Sequence, residues 1–408
     1  MSSLRSSLLD PAFVADPFAR LAELRERDPV HWDEALGTWF ITRYEDVWSS
    51  LSDPRLSSDR RLARDYQPPP PDTWLAHFER RSMINADAEG HRRWRSRVSA
   101  GFTPRAVRRM DAQVREVVEQ FAYPIRASLE ASSEPVDLLA RFTSPIPNTV
   151  IGRITGIPPY PGDEERFRSL AQAMMRRYTF FADEATVARG DAAIDELAEW
   201  VFKLADERRQ DPAEDLLSDL IQGNTGEDRM TNHEIVVLVA GLVAAGSETT
   251  TLGGSQVLRH LLRHPTEMAR LRADPSLVPN AVREALRFDF GSLAAVNVRF
   301  ALEDVELHGK TIRQGDMVML SPASANRDPA AFSEPDRFDI SRDTRAAVTF
   351  GHGPHYCLGA NLAMQEMSCM LEAALEFLPP KARLIESEAD WEQVGIMRRP
   401  LRLIVDPG

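Results

Sequence analysis

The longest run of apolar positions in the chain lies in its second half and predicts a buried helix. Thr231 and Glu234 have the spacing of a capping box, in which each side chain binds a free backbone N–H group at a helix start. Pro265 ends the pattern because proline lacks an N–H group and its ring clashes with the preceding turn. Since the middle of this segment is apolar nearly all round, we expect it to cross the core.

Shorter patterns predict further helices on both sides of this segment and strands towards the two ends of the chain. Spacings of three and four residues indicate helices, whereas short alternating runs bounded by glycine indicate strands. The predicted helices cover residues 16–28, 91–101, 105–128, 142–157, 164–178, 183–209 and 361–377. The predicted strands cover residues 30–32, 38–42, 305–309, 310–312, 316–320 and 401–405. Residues 52–82 contain four consecutive prolines, and we expect them to form an irregular loop over a pocket.

Composition narrows the class of protein. The 408 residues are 43% hydrophobic, which is enough for a large core, and no repeat or low-complexity linker divides them. The net charge of −13 argues against a nucleic-acid partner, because phosphate binding requires a basic face. The two cysteines provide no disulfide framework and suit a reducing compartment. Without a signal-peptide pattern or an N-terminal spanning segment, we expect a cytoplasmic protein with no membrane attachment.

One cysteine lies in a stretch rich in glycine, directly before a predicted helix. Residues 350–360 are FGHGPHYCLGA, with Cys357 near the helix start. Glycine allows backbone angles that other residues avoid and lets the chain approach a ligand closely. The helix dipole and nearby amide groups favour a thiolate there, which suits a metal ligand. Taken alone, Cys357 is better explained as a small packed residue, which is the commonest fate of a free cysteine.

The spacing Phe-Gly-x-Gly-x-His-x-Cys-x-Gly resembles the heme-binding signature of the cytochrome P450 family. The resemblance implies that Cys357 is the axial thiolate ligand of the iron of heme b, which favours O–O bond cleavage. It places Phe350 and Gly351 beside the heme. It also implies a set of side chains that bind the heme propionates, namely His91, Arg95, Arg299 and His355.

The segment Ala245–Thr250 places a glutamate and threonines in the middle of the predicted buried helix. Buried polar side chains are costly without partners, and threonine hydroxyls bend helices by bonding to carbonyls one turn earlier. We therefore expect a local distortion that leaves room for dioxygen. By resemblance, Glu248 and Thr249 are the acid–alcohol pair that delivers protons during oxygen activation, and Ala245 lies against the heme. The alternative is a helix whose polar residues simply face solvent.

Candidates for the substrate pocket are mostly apolar or small. They are Val239, Ala240, Val243 and Ala244 on the long helix, Phe290, Leu293, Ala294 and Val296 after a later helix, Phe180 between two helices that cover the pocket in the family, and Ile396 and Met397 near the C-terminus. Met174 and Met175 either line a substrate entrance or, as we favour, pack in the core.

Two further groups of charged residues match positions of the family. Glu284 and Arg287 share a helix face, and the resemblance implies a buried structural network whose third member comes from residues 326–327 or 336–338. Arg92, Arg93 and Arg97 form either a docking patch for an acidic ferredoxin or a solvated basic face. The family often has two prolines after Asp87, where this chain has alanine and glutamate.

The resemblance implies one domain over residues 1–408 with a mainly α, α+β fold. This fold is a helical triangular prism with a small β-rich side, here formed by residues 28–60, 290–345 and 380–405. The implied activity is a monooxygenase that inserts one atom of O2 into a lipophilic molecule of steroid, terpenoid or polyketide size, by hydroxylation or epoxidation. We expect a monomer that receives electrons from ferredoxin and ferredoxin reductase.

Three alternatives stay open at this point. One is a peroxide-driven heme-thiolate fatty-acid hydroxylase, and another is an enzyme that couples rings or rearranges its substrate. The third, from a different class, is a non-catalytic heme-based ligand sensor. Glu248 and Thr249 argue against the first and the third, because neither needs a pair of residues that delivers protons.

Overall fold

The computed structural model describes residues 8–132, 134–157, 164–177, 182–225, 229–291, 298–387, 390–394 and 397–408. The structure is predominantly helical with small sheets, as expected for the fold class. In this part of the chain the α-helices are α1 (Pro11–Ala15), α2 (Phe18–Arg27), α3 (Tyr44–Ser50), α4 (Trp74–Arg81), α5 (Ala88–Val98), α6 (Pro104–Arg109), α7 (Asp111–Ala131), α8 (Pro145–Thr155), α9 (Glu164–Arg177), α10 (Glu184–Gln210), α11 (Leu216–Gln222), α12 (Asn232–Arg263), α13 (Pro265–Ala273), α14 (Val278–Phe288), α15 (Pro322–Ala325) and α16 (Ala360–Phe377).

The strands lie mainly in the regions where the sequence predicts them. They are β1 (Val30–Asp33), β2 (Thr38–Ile41), β3 (Leu56–Ser57), β4 (Val136–Asp137), β5 (Val298–Ala301), β6 (Val305–Leu307), β7 (Lys310–Ile312), β8 (Met317–Leu320), β9 (Arg383–Ile385), β10 (Trp391–Val394), β11 (Met397–Pro400) and β12 (Ile404–Asp406). The largest sheet has the order β1-β2-β8-β5-β3, and smaller sheets pair β4-β12-β9, β6-β7 and β10-β11. Only the β2–β8 pair is parallel among these pairings of described strands.

The long helix α12 begins and ends where the capping box and the proline predict. The Glu234 N–H group donates to Thr231 Oγ1 at 3.3 Å, and the Thr231 N–H group donates to Glu234 Oε2 at 2.6 Å. Within the described ranges, α12 is the one helix long and apolar enough to cross a membrane, but 72% of its most apolar stretch is buried in the protein. The expected local distortion does not interrupt the helix, which continues through residues 245–250.

Two glycines bring α12 close to α16, the helix that follows the cysteine loop. A Cβ atom on Gly253 would lie 2.7 Å from the sulfur of Met367, and one on Gly254 would lie 3.0 Å from the sulfur of Met370. Real Cβ atoms need more space, so a larger residue at either position would force the methionine side chain to move. This close packing brings the middle of α16 against the part of α12 that follows its polar segment.

Three local predictions need correction. Residues 52–82 are not wholly irregular, because Thr73 Oγ1 accepts a bond from the Ala76 N–H group at 3.2 Å and starts α4, which buries Phe78. The helix predicted over residues 105–128 is divided into α6 and α7 at Met110. The last strand is shorter and later than predicted, because residues 401–403 connect β11 to β12 and do not join a sheet.

Candidate functional site

The loop before α16 presents Cys357 through backbone angles that require glycine. Gly351 and Gly353 have φ values of 74° and 72°, in the left-handed region. A Cβ atom on Gly353 would also lie 2.9 Å from Ser52 Cβ. The Cys357 N–H group donates to the Phe350 carbonyl at 2.9 Å and closes the loop. The predicted cofactor residues Phe350, Gly351 and Cys357 therefore lie in one rigid turn.

The Cys357 side chain is accessible to solvent, although many protein atoms surround it at slightly longer range. Burial by these atoms raises the pKa of the thiol, while a hydrogen bond from the Gly359 N–H group and the charge of Arg95 act in the opposite direction. An accessible sulfur that receives a backbone N–H bond suits a thiolate ligand of a metal. The other cysteine, Cys369, is buried on α16, and burial raises its pKa to about 12, which fits a packed residue.

Two histidines predicted to bind propionates lie together beside this loop. The rings of His91 on α5 and His355 are 4.2 Å apart between centroids. Arg95, one turn after His91, donates from Nη2 to the Tyr356 carbonyl at 2.7 Å. Burial, followed by the positive charges of His355 and Arg95, lowers the pKa of His91 to about 4. The structure thus brings together His91, Arg95 and His355, from positions more than 250 residues apart.

Arg299, the fourth predicted propionate residue, is a buried cation on β5 and is 4% exposed. Its Nη1 donates to the Val298 carbonyl at 2.9 Å, and no ion pair joins it to a carboxylate in the described part of the chain. Burial lowers the pKa of Arg299 to about 10, against the attraction of Asp87. A buried guanidinium of this kind suits an anionic group held within hydrogen-bond distance. The donor set and the accessible thiol therefore fit a heme with acidic side groups.

Asp87 joins these residues to the largest sheet and was missed by the sequence reasoning. Its carboxylate lies 3.4 Å from His355 Nε2 and accepts bonds from Ser57 Oγ and the Ser58 N–H group. Burial raises the pKa of Asp87, but the bonds from His355, Ser57 and Ser58 outweigh it and lower this pKa to about 2. The next residue, Ala88, has a φ of 46°, which the ring of proline cannot adopt. This angle explains why the loop departs from the family's proline pattern.

The polar segment of α12 contains the two predicted proton-delivery residues. Thr249 Oγ1 donates to the Ala245 carbonyl one turn earlier at 2.6 Å. Ala245 itself is half-buried. Glu248 is buried and forms an ion pair through Oε1 with Arg399 on β11. Glu248 Oε2 is also buried and has no hydrogen-bond partner among the described residues. The segment is therefore not a solvent-facing stripe, and the acid depends on a cation from a distant strand.

A cavity lies between α9, α12, β5 and the chain after β3. The described side chains that line it are mainly apolar, with a few polar groups among them. They are Ser58, Arg60, Phe78, Ser82, Ile84, Asn85, Met174, Met175, Gly241, Ala244, Val298 and Phe300. Among the predicted pocket residues Ala244 is in this lining, and so are Met174 and Met175, for which core packing was the favoured interpretation. Ser58 Oγ is buried without a hydrogen-bond partner in the described part of the chain.

The other predicted pocket residues divide into two groups. Val239, Ala240 and Val243 are fully buried in the main core and are not part of the lining of this cavity. Phe290 packs against the same core. Positions outside the described residues are Phe180, Leu293, Ala294, Val296 and Ile396, and for Met397 only the backbone, at the start of β11, is described.

Glu284 and Arg287 form a buried network on α14, next to the cysteine loop. The Arg287 guanidinium donates to the Glu284 carboxylate at 2.7 and 2.9 Å, and neither side chain has exposed surface. Arg287 also donates to the carbonyls of Asn326 and Pro335. The third charged member is Arg342, 3.1 Å from Glu284, and not a side chain of residues 326–327 or 336–338. The first of these segments contributes the Asn326 carbonyl to Arg287, and the Pro335 carbonyl, which also binds Arg287, directly precedes the second segment.

One basic residue is not available for the predicted docking patch. Arg93 donates to Glu234 at 3.0 Å and lies over the ring of Trp94, so its charge is already compensated. Arg92 on the same helix is exposed. The structure therefore limits a patch on α5 to fewer charges than the sequence suggests.

A long buried helix with an acid–alcohol pair, packed against the helix that follows an accessible thiol loop, is the arrangement of heme-thiolate proteins. The sequence pattern of the cytochrome P450 family matches residues 165–403, more than half of the chain. The mycinamicin IV hydroxylase/epoxidase of Micromonospora griseorubida is 32% identical over 393 residues, which cover 95% of this chain and 94% of that protein. The chain therefore belongs to the cytochrome P450 family, and it is a heme-thiolate monooxygenase.

Solved structures agree with this assignment. Epothilone D-bound cytochrome P450epoK is 29% identical and superimposes with a TM-score of 0.86, covering 98% of each chain. The myxobacterial cytochrome P450 CYP267B1 in complex with myristic acid is 32% identical with a TM-score of 0.87, again covering 98% of each chain. The predicted fold class is confirmed.

Proposed function

We propose that this enzyme hydroxylates or epoxidises a lipophilic small molecule that carries at least one oxygen function. The composition of the cavity supports this substrate class most directly. Its apolar lining, which includes Met175, Ala244 and Phe300, suits hydrocarbon surface. Ser58 Oγ, buried without a partner in the described part of the chain, is a suitable donor to a substrate hydroxyl or carbonyl. The names and ligands of the relatives, mycinamicin IV, epothilone D and myristic acid, agree with a lipophilic substrate.

The cofactor in this proposal is heme b, held without covalent attachment. When bound through a thiolate, heme supplies the activation of O2 with two electrons. Cys357 would be the thiolate ligand, and His91, Arg95, His355 and Arg299 would hold the two propionates. Support for this assignment comes from the burial of His91 and Arg299, from the shared location of His91, Arg95 and His355, and from Asp87, which contacts His355 and attracts Arg299. Ferredoxin and ferredoxin reductase are the proposed electron donors.

The proposed role of α12 is proton delivery. Thr249 holds its own hydrogen on the Ala245 carbonyl, so its oxygen is left to accept a hydrogen bond from the substrate side. Oε2 of Glu248, the oxygen that Arg399 does not engage, is the atom that would accept a proton and pass it on. Both groups lie in a buried segment where hydrogen bonds are strong and bulk water is excluded.

An optical titration of the purified ferric enzyme tests this function. Ligands that displace water from the iron shift the Soret band to shorter wavelength. We would compare steroids, terpenoids, macrolides and fatty acids, each with a deoxygenated analogue of similar size. A saturable shift that weakens about tenfold or more when the oxygen function is removed is the expected result. Equal affinity for both members of every pair would refute the oxygen requirement, and no shift in any class would refute the lipophilic substrate.

A further inference from the structure

Four charged side chains form a continuous chain from the centre of α12 to the helix that covers the cavity. Glu248 on α12 binds Arg399 on β11. Arg399 Nε lies 3.0 Å from Oε2 of Glu392 on β10, which makes an ion pair but not a hydrogen bond, since this Nε has no hydrogen-bond partner among the described residues. Arg176, near the end of α9, donates to the same Glu392 oxygen at 2.9 Å. We refer to Glu248, Arg399, Glu392 and Arg176 as the acid–arginine chain.

The strand pairing explains why Arg399 reaches both acids. β10 and β11 are antiparallel, with Glu392 directly opposite Arg399 in the register. Cross-strand partners have adjacent side chains on one face, so the hairpin holds this acid and this arginine together before either contacts a helix. The hairpin thus presents an arginine to α12 with its own carboxylate partner beside it.

Burial makes the Glu248–Arg399 contact stronger than a surface ion pair, whereas Glu392 and Arg176 are partly exposed. The Glu248 and Arg399 side chains are 11% and 14% exposed, so water screens their interaction weakly. Burial lowers the pKa of Arg176, and the neighbouring Arg399 lowers it further, while Glu392 and Glu248 oppose this change. Arg189, on α10, adds a smaller repulsion. Two arginines and two glutamates therefore balance, and the removal of one member leaves a charge uncompensated.

We propose that Arg399 is a positioning residue that holds Glu248 by Oε1, and that Glu392 and Arg176 link this contact to helix α9. The inference rests on the proposed proton-delivery role of Glu248. While Arg176 neutralises Glu392, Arg399 is left to bind Glu248. If α9 withdraws from the cavity, Glu392 loses Arg176 and competes for Arg399, so Glu248 loses its fixed orientation. Proton delivery is then complete only when α9 covers the cavity.

The test compares variants of the heme-bound enzyme, supplied with a surrogate ferredoxin and reductase and a substrate found by titration. Product formed per NADPH consumed measures the coupling of electrons to product. We expect Arg399→Gln to lower coupling about tenfold and to raise the solvent isotope effect, because a charge-assisted bond to the proton-delivery acid is lost. Arg399→Lys should retain part of the coupling that Arg399→Gln loses, since lysine keeps the positive charge but not the planar set of N–H donors. The dissociation constant of the substrate should change less than about twofold, which separates positioning from a general loss of structure.

Arg402→Gln is the matched control. Arg402 lies three residues further on and pairs with Asp390, but its side chain is 55% exposed and it does not contact the acid–arginine chain. It should leave coupling and the isotope effect unchanged. Wild-type coupling in Arg399→Gln, or an equal loss in Arg402→Gln, would overturn the inference. If Arg399→Gln does not fold, Glu392→Gln provides the test. Once Glu392 has lost its charge, adding Arg176→Gln to the same protein should not change coupling any further. A full additional loss in that double variant would overturn the link to α9.

Glu248→Gln separates this inference from the proposed function. Full coupling in Glu248→Gln would refute proton delivery by Glu248, and the inference with it. If Glu248→Gln is uncoupled and Arg399→Gln is not, only the role of Arg399 fails. If Arg399 acts through Glu248, the double variant Glu248→Gln with Arg399→Gln should match Glu248→Gln alone in coupling. The unfolding midpoints of the wild type, the two single variants and the double variant should show that the two changes are non-additive. Additive losses in both measurements would show that Arg399 acts independently.

Discussion

The buried Glu284–Arg287 pair allows a quantitative prediction. Glu284→Gln keeps the size and shape of the side chain but removes its charge, and it places an amide N–H group against arginine donors. The carboxylate accepts two bonds from Arg287, one from Arg342 and one from the Asp339 N–H group. Arg287 would keep the carbonyls of Asn326 and Pro335, so its hydrogen bonds are only partly lost while its charge is uncompensated.

The expected cost follows from the complete burial of both side chains. Breaking one side of a buried ion pair costs about 3–5 kcal/mol of the free energy of unfolding. For 408 residues, an unfolding entropy of about 2.1 cal/mol/K per residue converts this into a midpoint about 4–6 °C lower. Circular dichroism of the heme-bound protein, followed during heating at fixed scan rate, measures this change.

The chain contains a matched pair on its surface. Glu334 and Arg337 have the same three-residue spacing and lie 3.1 Å apart, but they are 68% and 59% exposed. Glu334→Gln should therefore shift the midpoint by at most about 1 °C. A second comparison replaces both buried partners with apolar residues, Glu284→Leu with Arg287→Met, which should cost less than the two single changes added together. Equal effects of Glu284→Gln and Glu334→Gln would refute the argument from burial.

Three further changes test the site. Cys357→Ser should abolish the long-wavelength Soret band of the reduced CO complex, and an unchanged band would remove Cys357 as the ligand. Thr249→Ala should lower product per NADPH about tenfold while substrate binding is kept, and full coupling would contradict proton delivery by Thr249. Burial raises the pKa of Glu366 well above its usual value, so the unfolded chain releases this proton at a lower pH than the folded protein does, and deprotonation favours the unfolded chain as the pH rises. Glu366→Gln should therefore raise the unfolding midpoint at pH 7 by about 1 °C or more, with no gain near pH 4, and an equal gain at both values would contradict this sign.

Short-range interactions explain why some parts of the fold and of the candidate site were predictable from the sequence. The boundaries of α12 depend on a capping box and a proline, and both act within one turn. The cysteine loop depends on glycines with positive φ values. This requirement is local, so it does not depend on the position of the rest of the chain. Glu284 and Arg287 lie three residues apart on one helix, so their contact needs no knowledge of the tertiary fold.

The pocket candidates on α12 show where this reasoning fails. A helix that is apolar all round carries no periodic signal for the side that faces a cavity. Val239 and Val243 therefore looked as suitable as Ala244, and only the packing of neighbouring helices separates them. Asp87 was missed for a related reason, because its partners Ser57 and Ser58 lie thirty residues away in the chain.

Physical chemistry requires that Glu248 has a partner, although the sequence does not identify that partner. An acid in the middle of a helix with no solvent-facing side must be compensated by a donor from another element, or its charge is too costly. The sequence therefore predicts that such a partner exists. It does not identify Arg399, which lies 151 residues further on and reaches α12 through a hairpin in which it pairs with Glu392. The proposed proton-delivery acid thus depends on the hairpin of β10 and β11, and changes there should alter oxygen activation without contact with the heme loop.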